Sequence, residues 1–320
     1  MPSPSAAIAI PRCDLGGAVE QIDLEAQNRG YIAQVVLPIF STPTNTGTYP
    51  VIPIAQLLQN RNLLRSPRSG YSRGSITFSE EAFCTTEYGI EEPIDAKETR
   101  LYRNYFDLEL IATKRAVNAV LGSAEHRMVT ALTDPAVITQ TGAALAPWSD
   151  PIAAAPLDDF ATARYIVWSS TGIWVNAVVM SKRTFLNLRD CLQVIDRIRN
   201  NSNYRVLAGE MTPEMMASAF DVERVIISDA AKNAAREGQP LSVASAWPDS
   251  KVLVAKLATS NDLREPCLGR TFHWAEDGSQ PLGTIETYRD EQVRAEIVRV
   301  RHEVQEKVTY PKAGYLITAV

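Results

Sequence analysis

From Ile297 to Thr309 the chain alternates. Val298, Val300, His302, Val304, Glu306 and Val308 fall on one side of an extended backbone, and Arg299, Arg301, Glu303, Gln305 and Lys307 on the other. Period-two alternation predicts a half-buried strand, with Val300 on its packed face and Arg301 on its open one. The run is unusually long. Strands average about 5–6 residues, whereas this one reaches ~40 Å at roughly 3.3 Å per residue.

A second long element precedes it. Asp95 with Glu98 three residues on resembles a capping box. The run "ETRLYRNYFDLELIATKRAVNAVLG" then puts Leu101, Tyr105, Leu108, Ala112 and Ala119 on one stripe and ends at Gly122. With no proline inside, it predicts roughly 35–40 Å of straight helix, a match in length for the terminal strand, so that the two rods can lie side by side.

Between the rods the texture is ordinary. A Gly/Pro/Ala linker, "TQTGAALAPWSDPIAAAP", opens a mixed α/β region. Here "FATARYIVWSS" reads as a helix and "IWVNAVVM" as a buried strand. "SKRTFLNLRDCLQVIDRIR" reads as helical behind a Ser181 cap, with Phe185, Leu188, Leu192, Ile195 and Ile198 at helical spacing. The strands "VERVIIS", "KVLVAKLA" and "CLGRTFHWAE" follow. Before the rods, residues 1–30 read as an arm rather than a core element. "YIAQVVLPIF" and "TYPVIPI" read as short extended segments whose prolines suit edges and turns.

Charge changes the picture in one place. Residues 55–78 contain Arg61, Arg65, Arg68 and Arg73 and no acid, while the return leg carries Glu80, Glu81, Glu87, Glu91, Glu92 and Asp95. The plain reading of a basic tip beside an acidic stem is a solvated loop with compensating charge. Elsewhere composition mostly excludes. A net charge of −5 and a pI near 5.4 argue against a broad nucleic-acid surface. Four scattered cysteines without a CxxC fit free thiols in a reducing compartment. No apolar run approaches the ~18 residues of a membrane span, and "MPSPSAAIAIPRC" lacks a signal peptide's basic start. The expectation is a soluble protein made in a cytosol.

Catalytic patterns fail on context. "GYSRG" fits G-x-S-x-G around Ser72, but a nucleophile elbow needs an apolar strand before the serine and a helix after it. An arginine-rich loop and a β-like "SITF" stand there instead. "HEVQE" begins like a zinc-protease motif, yet on a strand His302 and Glu306 are roughly 13 Å apart, too far for one metal. His126, expected just after the helix, and His273, in a strand, pair with no visible nucleophile. No catalytic, cofactor or metal residue is expected. Long elements at both ends and a projecting basic loop expose edges that imply partners.

In its order of arm, loop, long helix, inserted domain and long terminal strand, the chain resembles the major capsid proteins of tailed double-stranded DNA bacteriophages, the Hong Kong 97-like family. The stretches that carry the resemblance are "TFSEEAFCTTEYGIEEPID", "VNAVVMSKRTFLNLRDCLQVIDRI", "LGRTFHWAED" and "ETYRDEQVRAEIVRVRHEVQEKVTYPKAGYLI". The resemblance implies an α+β fold with an arm at 1–30 and an extended β-hairpin loop at 31–93. It further implies a peripheral domain at 94–144 and 283–320, with spine helix and long strand, and an axial domain at 145–282. It implies a structural subunit, not an enzyme, assembling with itself into hexamers and pentamers of an icosahedral head around double-stranded DNA held without sequence-specific binding. Scaffolding, portal and decoration proteins are the further partners, and the virion, built in the host bacterial cytoplasm, is the location. Arg61, Arg65, Arg68, Arg73, Glu80, Glu87, Glu91 and Glu92 are the candidate intersubunit contacts. Two alternatives stay open: an encapsulin-like cargo shell of the same fold, and a hydrolase using Ser72 or a Cys–His pair.

Overall fold

The computed structural model describes residues 10–11, 30–51, 58–60, 63–65, 67–71, 73, 79–102, 107–201, 211–236 and 238–320. Ser72 and Arg61 lie outside them. Along the chain, β1 (Ile10–Pro11) is followed by α1 (Ala33–Val36), β2 (Ile39–Thr42), β3 (Thr46–Val51), β4 (Ser79–Cys84) and β5 (Thr86–Asp95). Helices α2 (Ala96–Tyr102) and α3 (Leu108–Thr133) precede β6 (Thr141–Ala143), α4 (Pro156–Thr171), β7 (Ala177–Ser181), α5 (Lys182–Asp190), α6 (Leu192–Asn201) and α7 (Pro213–Ala219). The last third is strand: β8 (Arg224–Ser228), β9 (Ala231–Asn233), β10 (Val243–Ser245), β11 (Lys251–Ala255), β12 (Gly269–Trp274), β13 (Thr284–Asp290), β14 (Ala295–Val308) and β15 (Gly314–Thr318).

The predicted long strand is β14, and it organises the first sheet. One edge pairs with β13 over Ala295–Arg301 and then with β12 over Val304–Val308, while the other edge pairs with β5 from Ala295 to Val304. Beyond these, β1 adds to β13 and β2 runs parallel to β12. Pro93 is tolerated in β5 because that strand lies at the sheet's edge. The alternation holds: Val298, Val300, His302 and Val304 are buried. They face α3, whose Ala112, Ala116, Val117 and Val120 close a core with Val298, Val300, Ile285 and Ile94.

The helical rod differs from expectation in three ways. It is two helices, and the longer starts where the Asp107 carboxylate accepts from the amides of Glu109 (3.0 Å) and Leu110 (3.4 Å). It does not stop at Gly122 but runs 26 residues to Thr133, about 39 Å at 1.5 Å per residue. Gly122 is there for a neighbour: a Cβ would come within 3.3 Å of the Tyr31 hydroxyl. The buried stripe is also rotated, because Leu101 and Ala119 are exposed. His126 accordingly sits inside the helix, exposed, rather than after it.

The final turns of α3 belong to a second body. Met128, Val129 and Leu132 pack with Ala177, Val179, Leu253 and Leu316, one face of a five-stranded sheet ordered β6-β15-β11-β7-β8. Lys251 of β11 donates to the Thr133 carbonyl at 2.7 Å, placing a cation at the helix's negative end. The opposite face, with Val178, Met180, Val252, Val254 and Ile317, is covered by Phe160, Val167, Leu188, Val194 and Phe220 from helices and their ends. Residues 314–318, expected with the long strand, instead form β15 in this sheet, turned into it by a 3-10 turn at Pro311–Ala313.

Two shorter predictions shift. "YIAQVVLPIF" is not extended throughout, since Ala33–Val36 form a helical turn whose free amides are met from outside. The run after Ser181 breaks at Cys191, whose extended backbone and buried thiol separate α5 from α6. Ser181 caps α5 as expected, its hydroxyl accepting from the Thr184 amide at 3.2 Å. Finally, β3 and β4 form the predicted hairpin, with Thr46 opposite Cys84 and Val51 opposite Ser79. Its base is fixed by an aromatic stack on β12: Phe272 lies 4.7 Å from Phe83 and 5.7 Å from Tyr49. Gly47 permits it, because a Cβ there would strike the Phe83 ring at 2.8 Å.

Candidate intersubunit surface

Beyond the hairpin, the described part of the loop is a polar and apolar mixture on the outside of the chain. Arg65, Arg68 and Arg73 are exposed, as are Leu63, Leu64 and Tyr71. Arg65 is held locally: its Nε donates to the Ser69 carbonyl at 2.7 Å and its guanidinium sits 4.7 Å from the Tyr71 ring centroid. Arg68 takes a positive φ of 67°, which turns the chain back between them. The tip thus presents cations beside leucines.

The acidic stem is different from a row of waiting carboxylates. Glu91 bonds Arg299 at 2.7 Å and accepts from the Tyr288 hydroxyl at 3.0 Å. Glu92 lies 3.5 Å from Arg115 of α3, and Glu87 lies 3.7 Å from Arg301. Glu81 accepts from the Tyr49 hydroxyl at 2.7 Å; burial, and after it this bond, raises the phenol's pKa. Glu80 is exposed on the hairpin's outer leg. Sheet pairing sets Glu91 opposite Arg299 of β14 and brings Glu87 near Arg301, while Glu92 meets Arg115 of α3, so part of the stem's charge is met within the chain.

The polar network on this side of β14 was only half visible in the sequence. Arg301 is not on an open face: its Nε donates to Glu286 at 3.0 Å, and Nη1 bonds Asp277. On the helix side, Arg127 makes a two-pronged pair with Glu306 at 2.7 and 2.9 Å and stacks 3.7 Å from the Tyr88 centroid. His302 is buried between them; burial depresses its pKa, while its Nδ1 faces the Pro281 carbonyl at 3.1 Å. The "HEVQE" pattern therefore serves as a strand whose Glu306 holds α3 through Arg127. Among the described residues, no group of three or more His, Cys, Asp or Glu could hold a metal ion. Among them, too, no helix is long and apolar enough to cross a membrane.

One long helix on one long strand, a second sheet at the helix's end and a hairpin at the side make a fold found in solved phage capsid structures. In particular, it is the fold of the tailed-phage major capsid proteins. No family model and no curated protein matches the chain in sequence. Solved structures do match in shape. A phage-related protein from Bordetella bronchiseptica RB50 superposes with a TM-score of 0.69 at 17% identity, covering 98% of both chains. The capsid of cyanophage P-SCSP1u gives 0.59 at 10% identity over 89% of this chain and 86% of its own. The SrpI encapsulin of Synechococcus elongatus PCC 7942 gives 0.54 at 11% identity over 90% and 87%. At these identities the likeness is one of fold.

Proposed function

We propose that this chain is the major structural subunit of an icosahedral phage head, assembling with its own copies as hexamers and pentamers around double-stranded DNA. The observation that carries the reading is the whole-length match in fold to a phage-related protein, over 98% of both chains. The exposed tip supports it: a projecting hairpin ending in leucines and arginines makes sense as a contact with a neighbour. In this reading residues 1–30 are the arm and 31–93 the loop; 94–144 with 283–320 form the peripheral domain and 145–282 the axial domain, except that 314–318 join the axial sheet as β15 and 269–274 join the first sheet as β12. The role is structural rather than catalytic, in the virion after assembly in the bacterial cytoplasm, with scaffolding, portal and decoration proteins as further partners. An encapsulin also shares the fold, so the contents decide between the two: phage heads purify with DNA, cargo shells with protein.

The candidate contacts give the test. Arg61, Arg65, Arg68 and Arg73 would meet acids of the next subunit, with Glu80, Glu87 and Glu91 exposed and Glu87, Glu91 and Glu92 sharing charge with arginines of their own chain. Exposed pairs are worth ~0–1 kcal/mol each, but they repeat around every capsomer. Arg65→Glu with Arg68→Glu should leave the unassembled chain's melting unchanged and abolish shells in sedimentation and electron micrographs. Wild-type assembly should weaken as salt rises. Normal shells from the double variant would reject this role for the tip.

A further inference from the structure

Glu125 is the most deeply buried carboxylate among the described residues, 1% exposed, and it faces inward from the middle of the spine helix. Its Oε2 accepts from the backbone amides of Ile32 at 2.9 Å and Ala33 at 2.8 Å, the free donors that open the short helix α1. Its Oε1 is buried without a hydrogen-bond partner. The carboxyl lines a pocket of about 60 Å³ between α3, α1 and β14, walled mainly by apolar atoms of Val35, Ile39, Leu121 and Val304. One carboxyl thus joins the entry of residues 31–36 to the helix that bridges both sheets, with half of its hydrogen-bonding capacity unmet.

We propose that Glu125 is a proton-operated latch, which pins residues 32–36 to the spine helix when uncharged and loosens them when ionised. An ionised carboxylate needs donors at both oxygens, and burial denies them to Oε1. The neutral acid keeps the two amide bonds and sheds that cost. Burial pushes the group's pKa up from 4.5 to about 7, even though the two amide bonds act to lower it. The closed state therefore binds the proton more tightly than an open, solvated one, so opening is favoured as pH rises and levels off above about 7.

Other ionisable groups also face the site, and the test below separates them from Glu125. His302 and Glu306 face the pocket from β14, with Glu306 paired to Arg127; Tyr31 faces it from the α1 side. His126 on α3 and Lys232 on β9 line the cleft on Glu125's other flank. The inference goes beyond the shell reading and is tested on the unassembled chain, so the failure of one leaves the other standing.

The test is amide hydrogen exchange at residues 32–36, corrected for the intrinsic pH dependence of exchange. With 4.5 in the open form and about 7 in the closed form, linkage gives about tenfold more opening at pH 8 than at pH 6. Glu125→Gln should be flat across that range. Equal protection of the wild type at both pH values overturns the latch, as does a tenfold change that persists in Glu125→Gln, which would assign the titration to His302 or His126. Should Glu125→Gln fail to fold, the carboxyl carbon shift of Glu125 in the wild type decides: a midpoint near 7 supports the latch, and one near 4.5 overturns it.

Discussion

Arg301→Ala separates a polar face from an open one. Arg301 and Arg299 sit two residues apart on the same face of β14, and simple alternation treats them alike. Their surroundings differ. The Arg301 side chain is 18% exposed, and its partners Glu286 and Asp277 are 11% and 21% exposed. Arg299 is 35% exposed and its main partner Glu91 44%. Truncating Arg301 strips Asp277 of its cation and leaves Glu286 only the longer, 3.6 Å contact to Arg299. Charge-assisted hydrogen bonds are worth about 1.5–3 kcal/mol each, and breaking a fully buried pair costs ~3–5 kcal/mol. With roughly a fifth of the side chain in solvent, a loss of about 2–4 kcal/mol follows for Arg301→Ala. Arg299→Ala, which releases the solvated Glu91 pair and a long, 3.6 Å contact to Glu286, should cost about 1 kcal/mol. Urea unfolding of both variants reads the difference, and a double-mutant cycle of Arg301→Ala with Glu286→Gln should return a coupling of more than ~1 kcal/mol. If the two arginine variants unfold within ~0.5 kcal/mol of each other, the network under β14 contributes nothing and the reasoning fails.

Two further outcomes follow from the cores. Val300→Asp puts an unpaired charge among Val298, Ile285 and Val117, a site with no exposure; it should cost several kcal/mol and abolish the cooperative circular-dichroism melt, and a wild-type melt would mean β14 is packed on its other face. Phe272→Ala removes the ring on which Phe83 and Tyr49 stack; it should cost ~3–5 kcal/mol and expose the hairpin at 46–84 to limited proteolysis, whereas unchanged cleavage there would show that the stack does not anchor it.

What could be read from the sequence was whatever one segment decides by itself. The β14 alternation, the Ser181 cap and the apolar strands of the second sheet depend on local spacing, and each appears where the spacing puts it. What escaped depends on remote partners. Gly122 reads as a stop, yet the helix continues because Met128, Val129 and Leu132 find a second core and Lys251 caps the end. The sequence marks Arg301 as facing away from the valines, but not that the turn at Ala275–Asp277 and strand β13 cover that side. Glu125 in "SAEHRM", which the sequence puts past the helix's end, resembles any solvated acid; only the fold brings to it two amides more than 90 positions away. Of the candidate contacts, Glu87, Glu91 and Glu92 could be named as acids but not as acids with arginines of their own.

The reach of α3 into a core of each large sheet bears on how the chain fails under load. Chains with two cores commonly unfold in separate steps. Here the first half of one helix closes the core over β14, and its last turns help close the core under β11. Melting either core strips that helix of half its tertiary support, and a helix owes most of its stability to such packing. The other core then loses a wall. The two sheets are therefore coupled into a single cooperative unit, and a calorimetric scan should record one transition where the sheet count suggests two. Under a force from one side, this arrangement spreads strain along a rod about 39 Å long instead of concentrating it at a seam.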